Sequence, residues 1–197
     1  MKVGVLALQG DVPEHLRALA STVGQGNLRP VRRPADLAAV EALFLPGGES
    51  TTIARLLQEG RLWTPLADRL RAGFPVLATC AGLILLAREL APGPSGRDPP
   101  TFGVLDVRVR RNDYGTQRES FEAPVRVEKL AGGPFPGVFI RAPRILEIGR
   151  RAHPFAWTGD EVVGVRQGPL WGTTFHPELS DDLRLHRKFL ASVRAAR

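Results

Sequence analysis

Three short apolar runs, each followed by a segment with helical spacing, constrain the fold of this chain most strongly. Residues 3–8, 42–45 and 75–79 are apolar runs that stop next to glycine or other small residues, which is typical of buried parallel strands. Helical spacing follows each run, as in residues 14–20, where Pro13 occupies the first turn. Strands that alternate with helices predict a parallel sheet covered on both faces.

The second half of the chain is richer in strand-like runs. Turn residues separate them, so we expect these strands to join the same sheet as antiparallel additions. The length of 197 residues is typical of one domain, so residues 1–197 are expected to form a single α/β domain. We expect three layers, with a central mixed, mostly parallel sheet between two layers of helices. The expected strands are 28–32, 102–109, 121–127, 138–141, 145–148, 162–166 and 170–175, and further helices are expected at 62–71, 81–90 and 181–196.

The composition limits the classes of protein to which the chain can belong. The single cysteine, Cys80, cannot form a disulfide within the chain, which suits a reducing compartment and predicts a cytoplasmic protein. The longest strongly apolar stretch, residues 76–87, falls short of the roughly 20 residues that cross a bilayer, so no membrane attachment is expected. The formal net charge of +7 leaves nucleic-acid binding as the least favoured alternative.

Small residues surround Cys80 where the third apolar run meets a helical segment. A sharp turn of this kind is the geometry of a nucleophile elbow, which tolerates only small neighbours, here Ala78, Ala81 and Gly82. The helix N-terminus places backbone N–H groups beside the sulfur and favours its thiolate form. From this motif alone, a buried structural cysteine is an equally good interpretation.

A cysteine nucleophile needs a base, and His176 is the best candidate among the four histidines. It ends an apolar strand and precedes Pro177, which favours an extended backbone. Residues two apart in an extended segment point the same way, so Glu178 is expected to hold the imidazole as the third member of a triad. A turn with a hydrogen-bonded histidine is the alternative. His15 and His186 lie among charged neighbours and are expected at the surface.

A Gly47-Gly48 pair separates the second strand from its helix. Backbone amides in such a pair are little shielded and can bind a developing oxyanion opposite the elbow. A glycine turn followed by a Ser50 or Thr51 helix cap is the alternative. One cysteine and scattered histidines give no spacing typical of a zinc site, so we expect no metal.

Together, the segments 46–51, 78–82 and 175–179 resemble the class I glutamine amidotransferases. The cysteine and the His-Pro-Glu motif mark that superfamily. The Gly-Gly-Glu-Ser-Thr segment is more specific to one branch of it, the glutaminase subunits of pyridoxal phosphate synthase. The resemblance runs from residue 3 to about 179 and includes further segments at 8–10, 111–115, 120–123 and 139–143.

The resemblance implies a reaction, a mechanism and a partner. L-glutamine would be hydrolysed to glutamate and ammonia without a cofactor. Cys80 would attack the side-chain amide and form a glutamyl thioester, His176 would transfer the proton to the leaving ammonia, and Glu178 would orient His176. The ammonia would pass to a synthase subunit that makes pyridoxal phosphate, within a hetero-oligomeric complex.

The same resemblance implies further roles around these three residues. The backbone of Gly47, Gly48 and Ala81 would hold the oxyanion. Gln9 and the Gly47-Gly48 peptide are the candidates for the gated part, since both follow strands at the edge of the sheet that bears the site. The implied substrate-binding residues are Gly48, Glu49, Ser50, Arg111, Ile140 and Arg141.

Two departures from the family pattern occur, and three alternatives remain open. Ala78 stands where the family usually has glycine, and the loop 91–101 is unusually rich in proline. A glutaminase that serves another synthase, a Cys-His-Glu hydrolase or peptidase of similar fold, and a nucleic-acid-binding protein are the alternatives. They differ in selectivity for glutamine, in the effect of changing Cys80 and in the salt dependence of binding.

Overall fold

The computed structural model describes residues 1–92, 98–111 and 120–196 of the chain. Two residues that contribute to the resemblance, Asn112 and Gly115, lie outside the described residues, as does the middle of the proline-rich loop. Among the described residues, no helix is both long and apolar enough to cross a membrane.

Strands and helices alternate along the first half of the chain, as predicted. The strands are β1 Val3–Leu6, β2 Leu28–Val31, β3 Ala42–Leu45, β4 Val76–Thr79, β5 Ala87–Leu90, β6 Leu105–Arg110, β7 Ser120–Val127, β8 Phe135–Ile140, β9 Arg144–Ile148, β10 His153–Thr158, β11 Glu161–Gln167 and β12 Leu170–Thr173. The helices are α1 Val12–Val23, α2 Pro34–Ala38, α3 Ser50–Glu59, α4 Trp63–Arg71, α5 Ala81–Leu86 and α6 Arg184–Ala195, with short 3-10 helices at Gln25–Asn27 and Pro177–Leu179.

Nine described strands form one mixed sheet in the order β2-β1-β3-β4-β12-β11-β10-β7-β8. Neighbours from β2 to β12 in this order pair in parallel, and those from β12 to β8 pair antiparallel. The predicted mixed α/β sheet is therefore confirmed, with its parallel half built mainly by the first part of the chain.

Side chains of the central strands point alternately to the two faces of the sheet, and each face is covered by helices. In β3, Leu43 and Leu45 pack into one core cluster with residues of α3, α4 and α5. The intervening Ala42 and Phe44 pack into a second cluster with residues of α1 and α6. Because successive side chains of a strand point to opposite faces, one apolar run anchors both helical layers.

The predicted helix 81–90 is wrong in its second half. The helix ends at Leu86, and Ala87–Leu90 forms β5, which joins β6 and β9 in a separate three-stranded sheet. Short apolar runs are ambiguous between helix and strand, and ion pairs favour the strand here. Arg88 pairs with Asp106 of β6, and Glu89 pairs with Arg108 of the same strand. Not all later strands therefore join the main sheet.

His15 and His186 are fully buried, which corrects the prediction that both lie at the surface. Helical spacing explains the burial: His15 shares a face of α1 with Leu19, four residues on, and His186 shares a face of α6 with Phe189, three residues on. Both rings pack near Phe44, with centroid distances of 5.7 and 5.5 Å. Charged neighbours on the opposite helix faces concealed this pattern.

Replacing His186 with phenylalanine is expected to make the free energy of unfolding fall less as the pH is lowered. Burial lowers the pKa of His186 from 6.5 to about 3. Below pH 6.5 the unfolded chain therefore gains a proton that the folded protein does not, and the free energy of unfolding falls by at most about 1.4 kcal/mol per pH unit. Urea denaturation should show a smaller decrease between pH 7 and pH 5 for His186→Phe than for wild type.

The solvent-exposed His153 provides the matched control for this measurement. His153→Phe makes the same change of side chain at the surface instead of in the core. Burial also lowers the pKa of His15, so part of the acid sensitivity should persist in His186→Phe. A His186→Phe protein with the full wild-type decrease would contradict the burial of a neutral imidazole.

Candidate active site

Four neighbouring parallel strands, β1, β3, β4 and β12, end at the candidate site. The segment from Gln9 to Asp11 follows β1, Gly47 and Gly48 follow β3, Cys80 follows β4, and His176 follows β12. Carboxyl ends of parallel strands meet at one edge, where open α/β sheets bind ligands. Residues distant in sequence are thereby brought to a cavity of about 210 Å³.

Cys80 sits on the sharp turn that the sequence predicts. It precedes α5 with φ 47° and ψ −102°, a left-handed conformation that costs a non-glycine residue roughly 1–3 kcal/mol. The turn brings α5 so close to β3 that a Cβ atom on Gly82 would lie 2.3 Å from the carbonyl oxygen of Leu45. The turn forms with alanine at position 78, which is buried in β4. The Cys80 Sγ lies 3.9 Å from the Ile140 carbonyl oxygen.

His176 and Glu178 form a buried pair beside this turn. The Nδ1 of His176 lies 2.9 Å from Oε1 of Glu178, which accepts the ring proton in the neutral tautomer. Glu178 reaches back from the 3-10 helix Pro177–Leu179, so the predicted pairing occurs although the predicted extended backbone does not. The opposite nitrogen, Nε2, has no hydrogen-bond partner among the described residues. Catalytic hydrogen bonds are often long before substrate binds.

A buried network that sequence reasoning missed holds the Glu178 carboxylate. The Thr79 hydroxyl donates to Oε1 of Glu178 at 3.2 Å and accepts the Gly47 N–H at 2.9 Å. Nε2 of His15 lies 3.3 Å from the same hydroxyl and 3.5 Å from Oε1 of Glu178. Thr79 therefore links the Glu178 carboxylate, the partner of His176, to the Gly47-Gly48 peptide.

The network fixes charges in the site. Burial alone would lower the pKa of His176, but contacts with two carboxylates and with the Cys80 thiol outweigh burial and raise its pKa. Burial would raise the pKa of Glu178, yet the neighbouring histidines lower it on balance. Burial lowers the pKa of His15. The shifts therefore favour an imidazolium at His176 paired with a carboxylate at Glu178.

The second carboxylate at His176 belongs to Asp11, to which the sequence analysis gave no role. Its Oδ2 lies 3.1 Å from Nδ1 of His176. The sequence contains a signal for this position, because Asp11 lies in the loop between β1, a strand that borders the site, and α1.

The ligand atoms of Asp11, His176 and Glu178 lie within 4.8 Å of one another and form a set that can hold a metal ion. A metal on Nδ1 would displace the proton that Nδ1 shares with Glu178, and the hydrogen bond between the two residues depends on that proton. The expected absence of a metal stays a prediction.

Hydrogen bonds of the Gly47 N–H and of the Gly47 carbonyl orient the Gly47-Gly48 peptide. The Gly47 N–H points to Thr79, and the Gly47 carbonyl accepts the Asp11 N–H at 3.2 Å. In a trans peptide the next N–H points opposite to the carbonyl, so the Gly48 N–H points away from Asp11. Gly48 lines the cavity, and Ala81 follows Cys80 at the first position of α5.

The gating candidate contacts the segment that follows this peptide. Oε1 of Gln9 accepts the Glu49 N–H at 2.8 Å, and a Cβ atom on Gly48 would lie 2.6 Å from the same oxygen. Glu49 is the N-cap residue of α3, and neither Ser50 nor Thr51 is, so the alternative of a simple Ser/Thr-capped turn is wrong.

All six implied substrate-binding residues line the cavity, together with two of the three implied catalytic residues. Arg111 lies 3.3 Å from Glu49 across it, and Arg141 follows β8 with φ 40°, another left-handed backbone at the site. The lining residues are Gln9, Asp11, Gly48, Glu49, Ser50, Cys80, Ile84, Arg111, Ile140, Arg141 and His176.

Comparison with known families decides the class of protein. The model of the SNO glutamine amidotransferase family matches residues 5–195. The chain belongs to this family. A Pyridoxal 5'-phosphate synthase subunit PdxT from Streptomyces griseus is 51% identical over 193 residues, which cover 98% of this chain and 96% of that protein. The protein of the same name from Thermococcus onnurineus is 49% identical over 195 residues, covering 96% and 98%.

Solved structures agree with the assignment to the SNO glutamine amidotransferase family. A crystal structure described as a glutamine amidotransferase has a TM-score of 0.89 at 43% identity, and the match covers 98% of this chain and 100% of that one. PurLQS from Thermotoga maritima has a TM-score of 0.64 at 14% identity over 100% and 99% of the chains, which shows a shared fold alone. The predicted glutamine amidotransferase is therefore confirmed, and a peptidase or a nucleic-acid-binding protein is disfavoured.

Proposed function

We propose that this amidotransferase is the glutaminase subunit of a pyridoxal phosphate synthase, and that Cys80, His176 and Glu178 are its catalytic triad. The observation that carries the triad is the buried His176–Glu178 pair at 2.9 Å, whose histidine lines one cavity together with a cysteine on a left-handed turn. The names of the relatives from Streptomyces griseus and Thermococcus onnurineus support the synthase.

The first half of the reaction releases ammonia. The His176 imidazolium favours the Cys80 thiolate, which attacks the side-chain carbonyl carbon of L-glutamine and forms a C–S bond. The carbonyl oxygen becomes an oxyanion, which the N–H groups of Gly48 and Ala81 can stabilise. His176 then protonates the leaving nitrogen, the C–N bond breaks, and a glutamyl thioester remains.

The second half restores the thiolate. The neutral imidazole takes a proton from water, and the resulting hydroxide attacks the thioester carbonyl. Breaking the C–S bond releases the γ-carboxylic acid, which loses its proton to water and becomes glutamate, and the imidazolium and thiolate are re-formed. Glu178 holds Nδ1 throughout, so that Nε2 keeps facing the reacting atoms.

Paired charges at the cavity suit a free amino acid. A guanidinium holds a carboxylate by two parallel hydrogen bonds, so Arg111 and Arg141 are suited to the substrate α-carboxylate. The carboxylate of Glu49, 3.3 Å from Arg111, is suited to the α-ammonium. A peptide bond carries neither of these charges, which disfavours a peptidase.

The remaining parts of the proposal concern the whole chain. The family match over residues 5–195 supports one glutaminase domain, and the single buried thiol of Cys80 suits the reducing cytoplasm. The partner is the synthase subunit that consumes ammonia, and Gln9 with the Gly47-Gly48 peptide is the part that this partner would gate.

Ammonia release from L-glutamine, with and without the synthase subunit, tests the proposal. We expect release that is selective for glutamine over asparagine and that rises when the synthase subunit is added. L-glutamate should appear in equal amount, because water is the second substrate. No release in either arm, with a partner shown to be folded and bound, would overturn the proposal. Release that the partner leaves unchanged would contradict the gating.

A further inference from the structure

We propose that Asp11 is a positioning residue of the glutaminase, which holds both the catalytic histidine and the oxyanion peptide. Its carboxylate is the second anionic partner of His176, and its backbone N–H fixes the carbonyl of Gly47. This inference rests on the proposed function, because it assigns Asp11 a part in the same reaction.

The first observation is the contact with the histidine. Groups from several elements surround His176: Glu178 from the 3-10 helix, Cys80 from the elbow, His15 from α1 and Asp11 from the loop after β1. Of the two carboxylates near Nδ1, that of Glu178 is fully buried, whereas the Asp11 side chain is 31% exposed. Asp11 therefore brings its charge from the cavity side, at 3.1 Å from the ring nitrogen.

The second observation is the contact with the glycine peptide. The Asp11 N–H donates to the Gly47 carbonyl at 3.2 Å. The two loops approach so closely that a Cβ atom on Gly10 would lie 1.7 Å from the same carbonyl oxygen, and one on Gly47 would lie 2.9 Å from Oδ2 of Asp11. One residue thus touches the base with its side chain and the oxyanion peptide with its backbone.

The two contacts have separable consequences. The carboxylate stabilises the imidazolium form of His176 relative to the neutral ring, and this form must protonate the leaving ammonia. The hydrogen bond from the Asp11 N–H keeps the Gly47 carbonyl pointing towards Asp11. The Gly48 N–H, on the other side of the same trans peptide, therefore points away from Asp11. Asp11→Asn removes the charge and retains the backbone N–H, so it isolates the first consequence.

The test follows the imidazole of His176 directly, by NMR of protein labelled at histidine, in wild type and Asp11→Asn. A His176→Gln sample assigns the signal. Removing a carboxylate at this distance should lower the pH at which His176 loses its proton by roughly 1–3 units. This readout does not require glutaminase activity, so it separates the inference from the proposed function.

The kinetic readout is the pH profile of glutamine hydrolysis with the synthase subunit present. In Asp11→Asn, kcat should fall by about tenfold at pH 8, and the decline of kcat at high pH should begin at lower pH, whereas KM should change little. Asp11→Ser provides a second variant without the charge, and its kcat, pH profile and KM should change in the same way as those of Asp11→Asn.

Glu14, the next acidic residue along the chain, lies in the first turn of α1 and provides the matched control. Glu14→Gln removes a carboxylate three residues from Asp11 and should leave both the His176 titration and kcat unchanged. Identical His176 titrations in wild type and in both Asp11 variants would overturn the inference. Kinetic effects of the Asp11 variants that do not exceed those of Glu14→Gln would overturn it as well.

Discussion

Replacing Cys80 with alanine is expected to abolish glutamine hydrolysis, with a loss of at least about 10⁴-fold in kcat. The reason is chemical, since in the proposed mechanism the sulfur forms the bond to the substrate carbon. The other groups around the cavity can bind and polarise glutamine but cannot form a thioester. Cys80→Ser should be almost as inactive, because the serine hydroxyl at this position has much less anionic character than a thiol.

Binding should survive this substitution and provides the control. The guanidinium groups at the cavity are unchanged in Cys80→Ala, so glutamine should still raise its melting temperature by mass action. A loss of both activity and glutamine binding would indicate a damaged site. Hydrolysis by Cys80→Ala within tenfold of the wild-type rate would contradict the assignment of the nucleophile.

Replacing Glu178 with glutamine is expected to lower kcat by roughly 10²- to 10⁴-fold. Oε1 of Glu178 is the partner of His176 at 2.9 Å and of the Thr79 hydroxyl at 3.2 Å. An amide in its place removes the charge that stabilises the imidazolium, and its NH2 group favours the wrong histidine tautomer. We expect a smaller loss than for Cys80→Ala, because Asp11 still contacts Nδ1 at 3.1 Å.

Kinetics at saturating glutamine measure this effect, with Glu59→Gln on the exposed surface of α3 as the matched control. The KM of Glu178→Gln should stay near that of wild type, because the buried carboxylate does not line the cavity. The double variant with Asp11→Asn should lose more activity than either single variant. A Glu178→Gln enzyme within threefold of the wild-type kcat would contradict the triad.

The elements that bear the site could be predicted because local sequence determines them. The apolar runs of β1, β3 and β4 are buried on both faces, so they read as continuous apolar segments. Cys80 follows such a run among small residues, and its left-handed backbone was implied by that pattern. For His176 and Glu178 the pairing was predicted, although the 3-10 helix that contains Glu178 was not, because the φ angle that proline fixes fits both an extended and a helical backbone.

Other parts depend on contacts between residues far apart in sequence. Residues 87–90 form a strand because β6 lies alongside them, about twenty residues later in the chain. The short helix α2 and the strand β10 have little local signal of their own. His15 was misplaced because its charged neighbours outweighed its helical spacing in the interpretation, and its burial next to Thr79 depends on how α1 packs on the sheet.

Asp11 shows a further limit of the sequence pattern. An acidic residue at the N-terminus of a helix is common for electrostatic reasons, so the position of Asp11 before α1 does not by itself indicate a contact with a histidine 165 residues away. The contact between Asp11 and His176 depends on the order of the strands in the sheet, since β1, β3, β4 and β12 are neighbours only in the folded protein. Strand order could not be read from the spacing of the motifs.

Mass spectrometry of the covalent intermediate tests the central claim most directly. The protein is mixed with L-glutamine and the synthase subunit, quenched in acid within one turnover, and digested for peptide mapping. We predict a glutamyl adduct on the peptide that contains Cys80, and much less of it in His176→Gln, which lacks the group that protonates the leaving ammonia. Ammonia release without any adduct at Cys80, or an adduct on another residue, would contradict the account.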